Sequence, residues 1–141
     1  MMIMRRSVEY PELAEKLRPY KVCIWTCDTC ARLCNGLGGK ASATALMDRL
    51  RADGVHVTGV LSTSAGCIMS KLVDKCESKE LEECDLILTL TCDVGSDCAG
   101  IVFMKECYNP VETLGPGYLD ENRVPILGDG SVVMMGCDPF I

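Results

Sequence analysis

One pattern recurs along this chain and constrains its fold: an apolar segment with β-branched residues, then a turn of small residues, then a helical pattern. The apolar segments occupy residues 22–25, 55–61 and 86–91. Continuous apolar runs of this length are typical of buried strands, and strands that alternate with helices pair in parallel through right-handed crossovers. The pattern therefore predicts an open, mainly parallel, Rossmann-like α/β sheet with helices on both faces.

The clearest helix is predicted over residues 42–52. There Ala43, Leu46 and Leu50 share one face, and Gly54 stands where a C-cap belongs. Further helices are predicted over residues 8–18, 68–75, 78–83 and 97–106, and a C-terminal hairpin over residues 124–135 around a glycine turn. A length of 141 residues suits one compact unit. We therefore expect residues 1–141 to form a single cysteine-rich α/β domain.

Charge and hydropathy exclude several classes of function. The chain has 14 Lys and Arg against 20 Asp and Glu, so it lacks the basic surface that tracks phosphates. Aromatic residues make up 5% of the chain, too few for a surface that stacks bases. No apolar run reaches the roughly 18 residues that would span a bilayer, and the first residues do not read as a signal peptide. We expect no nucleic-acid binding, no membrane insertion and a cytoplasmic location.

Cysteine is the residue type that stands out, with 11 among 141 residues. In a reducing compartment, clustered cysteines more often bind metal or carry out redox chemistry than form structural disulfides. Cys27 and Cys30 follow the first predicted strand, Cys67 follows the second and Cys92 follows the third. Because ligands of open α/β sheets bind outside the carboxyl ends of the strands, we expect these four cysteines to converge. An all-thiolate set is typical of a [4Fe–4S] cluster or of zinc.

Three functions remain open for such a site. The first is an iron–sulfur electron carrier, the second a zinc-binding structural or interaction module, and the third a thiol-disulfide oxidoreductase that uses Cys27 and Cys30. Cys34 is an alternate ligand, because its i+4 spacing from Cys30 would place both on one helix face. The glycine-rich turn that contains Gly38 and Gly39 would let backbone amides approach the sulfides of a cluster.

The other cysteines have plainer interpretations. They are Cys23, expected as a core thiol in a strand; Cys76, Cys84 and Cys107, expected at small buried positions on helices; and Cys98 and Cys137, candidates for a peripheral site or an interface. No set of catalytic acid, base and nucleophile is visible in the sequence. We therefore do not expect the chain to be a complete enzyme.

The spacing of the motifs is similar to that of a known family. The matching motifs are Cys27-Asp28-Thr29-Cys30-x-x-x-Cys34-x-x-x-Gly38-Gly39, then Gly66-Cys67, then the segment 86–91 that runs into Cys92. They resemble the methylenetetrahydrofolate reductase C-terminal domain family, the MetV-type small subunit, in its Rossmann-like half. The similarity covers roughly residues 20 to 115, and Asp28 stands where the family usually has Gly.

The resemblance implies both a cofactor and a partner. It implies an iron–sulfur cluster, with Cys27, Cys30, Cys34, Cys67 and Cys92 as the matching positions and Gly38, Gly39 and Gly66 beside them. It further implies an accessory subunit that exchanges electrons with a flavin-containing enzyme reducing methylenetetrahydrofolate. We therefore expect a protein partner from one-carbon metabolism of an anaerobe, a flavin- or corrinoid-containing oxidoreductase or methyltransferase subunit.

Overall fold

Two β-sheets, one parallel and one antiparallel, organise residues 1–140, which the computed structural model describes. The strands are β1 (Met2–Arg6), β2 (Lys21–Cys27), β3 (His56–Thr63), β4 (Leu86–Leu90), β5 (Cys107–Tyr108), β6 (Val111–Leu119) and β7 (Pro125–Leu127). The helices are α1 (Tyr10–Leu17), α2 (Cys30–Leu33), α3 (Lys40–Ala52), α4 (Met69–Val73), α5 (Lys79–Glu83) and α6 (Asp93–Phe103).

The parallel sheet has four strands in the order β3-β2-β4-β5. Successive side chains of a strand point to opposite faces, and β2 uses both of its faces for packing. Val22 and Ile24 lie in one apolar core, whereas Cys23 and Trp25 lie in the other. Every residue of β4 is buried as well, as expected for a strand covered on both sides. The chain is thus a mixed α/β protein with a parallel sheet, as the strand-turn-helix pattern predicted.

The path of the chain places a crevice at one edge of this sheet. From the inner strand β2 the chain passes to β3 on one side and then crosses to β4 on the other. Parallel pairing brings the strand ends at Cys27, Thr63 and Leu90 to the same edge. The point where successive connections leave toward opposite sides of the sheet is a topological switch point, and ligands of open α/β sheets bind outside the strand ends there.

Helices cover both faces of the parallel sheet. Leu17 of α1 and Leu50 of α3 are buried on the face of Ile24. On the opposite face, the buried helix residues are Leu72 of α4, Leu81 of α5 and Ala99 of α6. There the ring of Trp25 meets that of Phe103 edge-on at 5.1 Å between centroids. Helix α6 begins at Asp93, earlier than the predicted range of 97–106, and Cys92 precedes it at the N-cap position without a capping side-chain hydrogen bond.

The antiparallel sheet, in the order β1-β6-β7, was not predicted. Its longest strand, β6, contains Gly115, Pro116 and Gly117, a composition that favours a loop when the sequence is considered alone. The pairing itself needs one of these glycines. A Cβ on Gly117 would lie 2.1 Å from the carbonyl oxygen of Ile126 in β7.

The predicted hairpin over residues 124–135 is wrong in most of its pairing. A turn does form, since Gly130 donates to the carbonyl of Leu127 at 2.8 Å. Beyond it, only one isolated bridge joins Ile126 to Val132, and β7 pairs with β6 instead. Strand β6 is nine residues long and supplies a longer run of backbone partners than the segment after the turn.

The two sheets share one of the apolar cores. Ile3 and Met4 of β1 and Val111 of β6 are buried together with Ile24 and Leu88 of the parallel sheet. The antiparallel sheet therefore packs on the same core as the parallel one and brings β1 close to α2. Among residues 1–140, no helix has both the length and the apolar character needed to cross a bilayer.

Candidate functional site

A cavity of about 80 Å³ opens at the carboxyl ends of β2, β3 and β4, and four cysteines line it. They are Cys27, the last residue of β2; Cys30, the first of α2; Cys67, in the loop after β3; and Cys92, the residue before α6. The remaining lining residues are small: Thr29, Ala31, Ala65, Gly66, Thr91 and Gly95. The structure thus brings together four of the five predicted metal-ligand cysteines and one of the three predicted glycines.

Backbone N–H groups point at two of these sulfurs. Gly66 donates to Sγ of Cys27 at 3.4 Å, and Met2 donates to Sγ of Cys30 at 3.4 Å. Hydrogen bonds from N–H groups to ligand sulfurs tune the metal or cluster that those sulfurs hold. Sequence reasoning missed Met2, because it belongs to the unpredicted strand β1 and no local signal places that strand beside α2.

The third sulfur with backbone donors is that of Cys92. Burial raises the pKa of this thiol, and charge on the nearby Cys30 and Cys27 sulfurs acts in the same direction. The backbone N–H groups of Gly95 and Val94 lower it, because they face the sulfur from the first turn of α6. A helix N-terminus stabilises negative charge, so this position suits a cysteine that binds a cation as a thiolate.

Cys67 differs from the other three thiols in being exposed. It lies at the open edge of the cavity, on the loop between Thr63 and α4. Cys27 is buried, and Cys30 and Cys92 are half-buried. The site therefore has a closed side toward the sheet and an open side at Cys67.

Gly38 and Gly39 are not among the residues that line the cavity. Gly38 packs into the sheet, where an added Cβ would lie 2.7 Å from Cβ of Ala31 and 2.8 Å from the carbonyl oxygen of Leu90. The N–H of Gly39 donates to Oγ1 of buried Thr26 at 2.8 Å. The glycine-rich turn therefore packs α3 tightly against the ends of β2 and β4.

Asp28 has a structural role in this chain. Its Oδ1 accepts a hydrogen bond of 2.8 Å from the N–H of Lys40, the first residue of α3. The N–H of Asp28 itself donates to the carbonyl of Thr63 at 2.8 Å and joins the ends of β2 and β3. An acceptor at a helix N-terminus satisfies one of the free N–H groups there.

Cys34, the fifth predicted metal ligand, lies outside the cavity lining. It is fully buried, and its thiol donates to the carbonyl oxygen of Met2 at 3.5 Å. Cys137 packs against the same apolar core. The neighbouring Cys137, together with burial, raises the pKa of Cys34 well above its usual range, and Cys34 lowers the pKa of Cys137.

Among residues 1–140, the remaining cysteines do not line this cavity. Cys23 is buried in β2, as expected, and lies in the same apolar core as Cys84. Contrary to expectation, Cys76 is exposed, Cys84 follows α5 and Cys107 lies in β5. Burial raises the pKa of Cys107 to about 11.

A larger groove, of about 410 Å³, lies on the far side of α5 and α6 and is lined by Cys76 and Lys105, among others. The Lys105 amine is already occupied, since it donates to the carbonyl of Cys84 at 2.6 Å and also to that of Leu81. The groove contains a single thiol beside the carboxylates of Glu77 and Glu82, whereas four thiols converge on the smaller cavity, which is therefore the better candidate site.

No family model, no curated protein and no solved structure matches the chain. Within residues 1–140, the side chains of His, Cys, Asp and Glu form no group of three or more arranged to hold a metal ion.

Proposed function

We propose that the protein is an iron–sulfur electron-transfer subunit that holds one [4Fe–4S] cluster in the cavity at the ends of β2, β3 and β4. One observation carries this proposal. Cysteines from three separate strand ends line one cavity, and backbone N–H groups face the sulfurs of Cys27, Cys30 and Cys92.

The donor set suits such a group. The four candidate ligands Cys27, Cys30, Cys67 and Cys92 are all thiols, the ligands that iron–sulfur clusters take. A cationic centre bound between cysteine sulfurs favours their charged form. When bound, a cluster would accept and release single electrons.

The space between the thiols also suits a centre of several atoms. A volume of about 80 Å³ exceeds several-fold the roughly 10–15 Å³ that one water needs. Small residues keep this space open. A Cβ on Gly66 would lie 3.6 Å from Cβ of Cys27 and 3.8 Å from Cα of Gly95, so larger side chains there would enter the cavity.

The surroundings of the open edge suit a protein partner. Ile68 and Met69, which follow Cys67, are each 45% exposed, and Val94, which follows Cys92, is 51% exposed. Apolar residues around the mouth of a site are typical of a surface that a partner covers. A partner docked there would bring its own redox group close to Cys67, the thiol nearest to solvent.

The identity of the partner rests on the motif resemblance alone. It points to a flavin- or corrinoid-containing enzyme of one-carbon metabolism, and it carries with it a Rossmann-like fold and a reducing, cytoplasmic setting. Of the chain's own residues, Cys27, Cys30, Cys67 and Cys92 would hold the cluster. The N–H groups of Gly66 and Met2 would stabilise the negative charge on its ligands and thereby raise its reduction potential.

Anaerobic purification followed by metal analysis tests the proposal. Iron, acid-labile sulfide and zinc are measured per chain, together with the electron paramagnetic resonance spectrum of the reduced protein. We expect about four iron and four sulfide per chain and a cluster signal. Stoichiometric zinc without iron would overturn the proposal and make the protein a structural module. A metal-free protein with a reversible Cys27–Cys30 disulfide would make it a thiol-disulfide oxidoreductase.

A further inference from the structure

The last residues that the structure describes, here called the C-terminal tail (136–140), lie against β1. The N–H of Arg6 donates to the carbonyl of Gly136 at 2.8 Å, and the guanidinium of Arg6 donates to the carbonyl of Asp138 at 2.9 Å. The same guanidinium forms an ion pair with the Asp138 carboxylate. Phe140 is buried in the core that both sheets share. The tail is therefore part of the folded structure.

Within this tail, Cys137 meets Cys34 from the end of α2. Cys137 packs against the apolar core that contains buried Cys34, and each thiol is the main influence on the pKa of the other. The backbone is held at this point too, because Nδ2 of Asn35 donates to the carbonyl of Cys137 at 3.0 Å. On the next residue along, a Cβ on Gly36 would lie 3.6 Å from Cγ of Pro139. Contacts of Asn35 and Gly36, which follow Cys34, with Cys137 and Pro139 thus bring two cysteines that are distant in sequence close together.

The two thiols differ in access and in charge. Cys34 is fully buried, whereas Cys137 is half-buried and lines a groove of about 230 Å³ with Asn35 and Arg123. The neighbouring Cys34 thiol lowers the pKa of Cys137. The thiolate is the reactive form of cysteine, so Cys137 is both the more reachable and the more nucleophilic of the two.

We propose that Cys34 and Cys137 form a reversible disulfide that covalently fastens the C-terminal tail to the segment after α2. The oxidant is a peroxide. The Cys137 thiolate attacks one peroxide oxygen, the O–O bond breaks, and hydroxide leaves to form water with a solvent proton. The Cys34 sulfur then attacks the sulfenic acid sulfur of Cys137, the S–O bond breaks, and a second water leaves with the Cys34 proton. Two thiols lose two electrons in total, and a dithiol reductant reverses the reaction.

The Cys34–Cys137 pair is connected to the candidate site through the backbone of Met2. Cys34 donates to the carbonyl of Met2, and the N–H of the same Met2 donates to Sγ of Cys30. A disulfide at Cys34 would remove the first of these hydrogen bonds. Oxidation of the pair would thereby act on the strand that supplies one of the N–H donors to the cavity.

Peptide mapping of the full-length protein tests the disulfide directly, because trypsin separates the relevant cysteines. Cleavage after Arg and Lys places Cys34 alone in the peptide 33–40, Cys137 alone in 124–141, and Cys23, Cys27 and Cys30 together in 22–32. Exposed Cys76 lies alone in 76–79 and reports on general oxidation. The reduced protein is treated with increasing hydrogen peroxide, alkylated, digested and analysed by mass spectrometry.

We expect the peptide 33–40 to become linked to 124–141 before Cys76 loses its alkylation, and dithiothreitol to release the link. Native digestion adds a second readout. The bond after exposed Arg123 is cleaved in both states, but after denaturation without reductant the fragment that begins at Val124 remains attached only in the oxidised protein. Oxidation of Cys76 while Cys34 and Cys137 both remain alkylated would overturn the proposal.

Matched variants keep the disulfide test independent of the proposed function. Cys137→Ser, at a half-buried position, should abolish the link, whereas Cys98→Ser, also at a half-buried position, should leave it unchanged. A link from 22–32 to 124–141, in place of the expected one, would also overturn the proposal. The expected link can form whether or not the purified protein contains iron, so the two proposals fail separately.

Discussion

The backbone N–H of Gly66 donates a hydrogen bond to Sγ of Cys27 at 3.4 Å, across 39 positions of sequence. This contact joins the loop after β3 to the last residue of β2. It holds Cys67, the next residue along, beside the strand end that carries Cys27. Two motifs that are separate in the sequence thus become one site through a backbone donor and a thiol.

The placement of the cysteines predicts which thiols retain iron. Cys67→Ala and Cys92→Ala should each lower bound iron to less than about a quarter of that in the unsubstituted protein, because each removes a ligand from the cavity. Cys34→Ala should retain iron, since Cys34 lies outside the cavity lining. Iron and sulfide analysis after anaerobic purification measures the effect.

Cys76→Ala is the control, because this exposed thiol is remote from the cavity. Unchanged iron in both Cys67→Ala and Cys92→Ala would contradict the assignment of the site. A loss in Cys34→Ala equal to theirs would restore Cys34 as a ligand.

The packing of Gly38 predicts a large cost for a single methyl group. A Cβ at this position would lie within 3.0 Å of Ala31, Leu90 and Thr26, two of them on the neighbouring strands β4 and β2. Gly38→Ala should therefore reduce the free energy of unfolding by about 1–3 kcal/mol, the range for overpacked cores. Gly128→Ala, with its closest contact at 3.4 Å, should change it by less than about 0.5 kcal/mol. Urea unfolding decides the matter, and equal midpoints for the two variants would refute the packing argument.

Asp28 is expected to stabilise the protein without serving the site. Asp28→Ala removes the acceptor for the N–H of Lys40 and should cost about 1 kcal/mol in the free energy of unfolding. Iron content should not change. Asp48→Ala, at an exposed position within α3, is the control and should have little effect. Thermal unfolding together with iron analysis tests both statements, and lost iron in a folded Asp28→Ala protein would show that Asp28 acts on the site.

Tyr10 is expected to make stability depend on alkaline pH. Burial and the hydrogen bond to Asp53 raise its pKa from 10.0 to about 12. The unfolded chain then loses this proton at lower pH than the folded protein does. The contribution is fully present below about pH 10 and is lost as the pH rises through about 12.

Tyr10→Phe should lose about 1 kcal/mol at neutral pH with the hydrogen bond, and its stability should fall less steeply above about pH 10. Urea unfolding across that range provides the measurement. Tyr118→Phe, at a 52% exposed position, should follow the unsubstituted protein. Identical slopes for Tyr10→Phe and the unsubstituted protein would show that another group titrates there.

Part of the fold could be read from local patterns. The strand cores of β2, β3 and β4 are apolar runs, and α3 has a clear apolar face, so each was predicted close to its observed range. Strand β1 and strand β6 were missed, since β1 ends in two arginines and β6 contains glycine and proline. Both become strands because they pair with each other over a sequence distance that local patterns do not register.

The candidate site likewise has a part that local patterns predict and a part that depends on distant contacts. The order of strands and cysteines along the chain determined that Cys27, Cys30, Cys67 and Cys92 would lie at one edge, because parallel strands share the direction of their ends. Tertiary structure, in contrast, decided that Cys34 lies outside the cavity. One turn of α2 separates it from Cys30, and that turn directs its thiol toward Met2 and the C-terminal tail.

By itself, the sequence determined the parallel strands, their helices and the edge at which the thiols gather, because periodicity and turn residues act over short distances. Only the tertiary structure decided that β1 would supply Met2 to the sulfur of Cys30, that Gly38 would be used for packing, and that Cys137 would meet Cys34. Each of these contacts joins segments through a shared core or a sheet pairing. Such contacts depend on how whole faces pack, and no short segment of sequence encodes them.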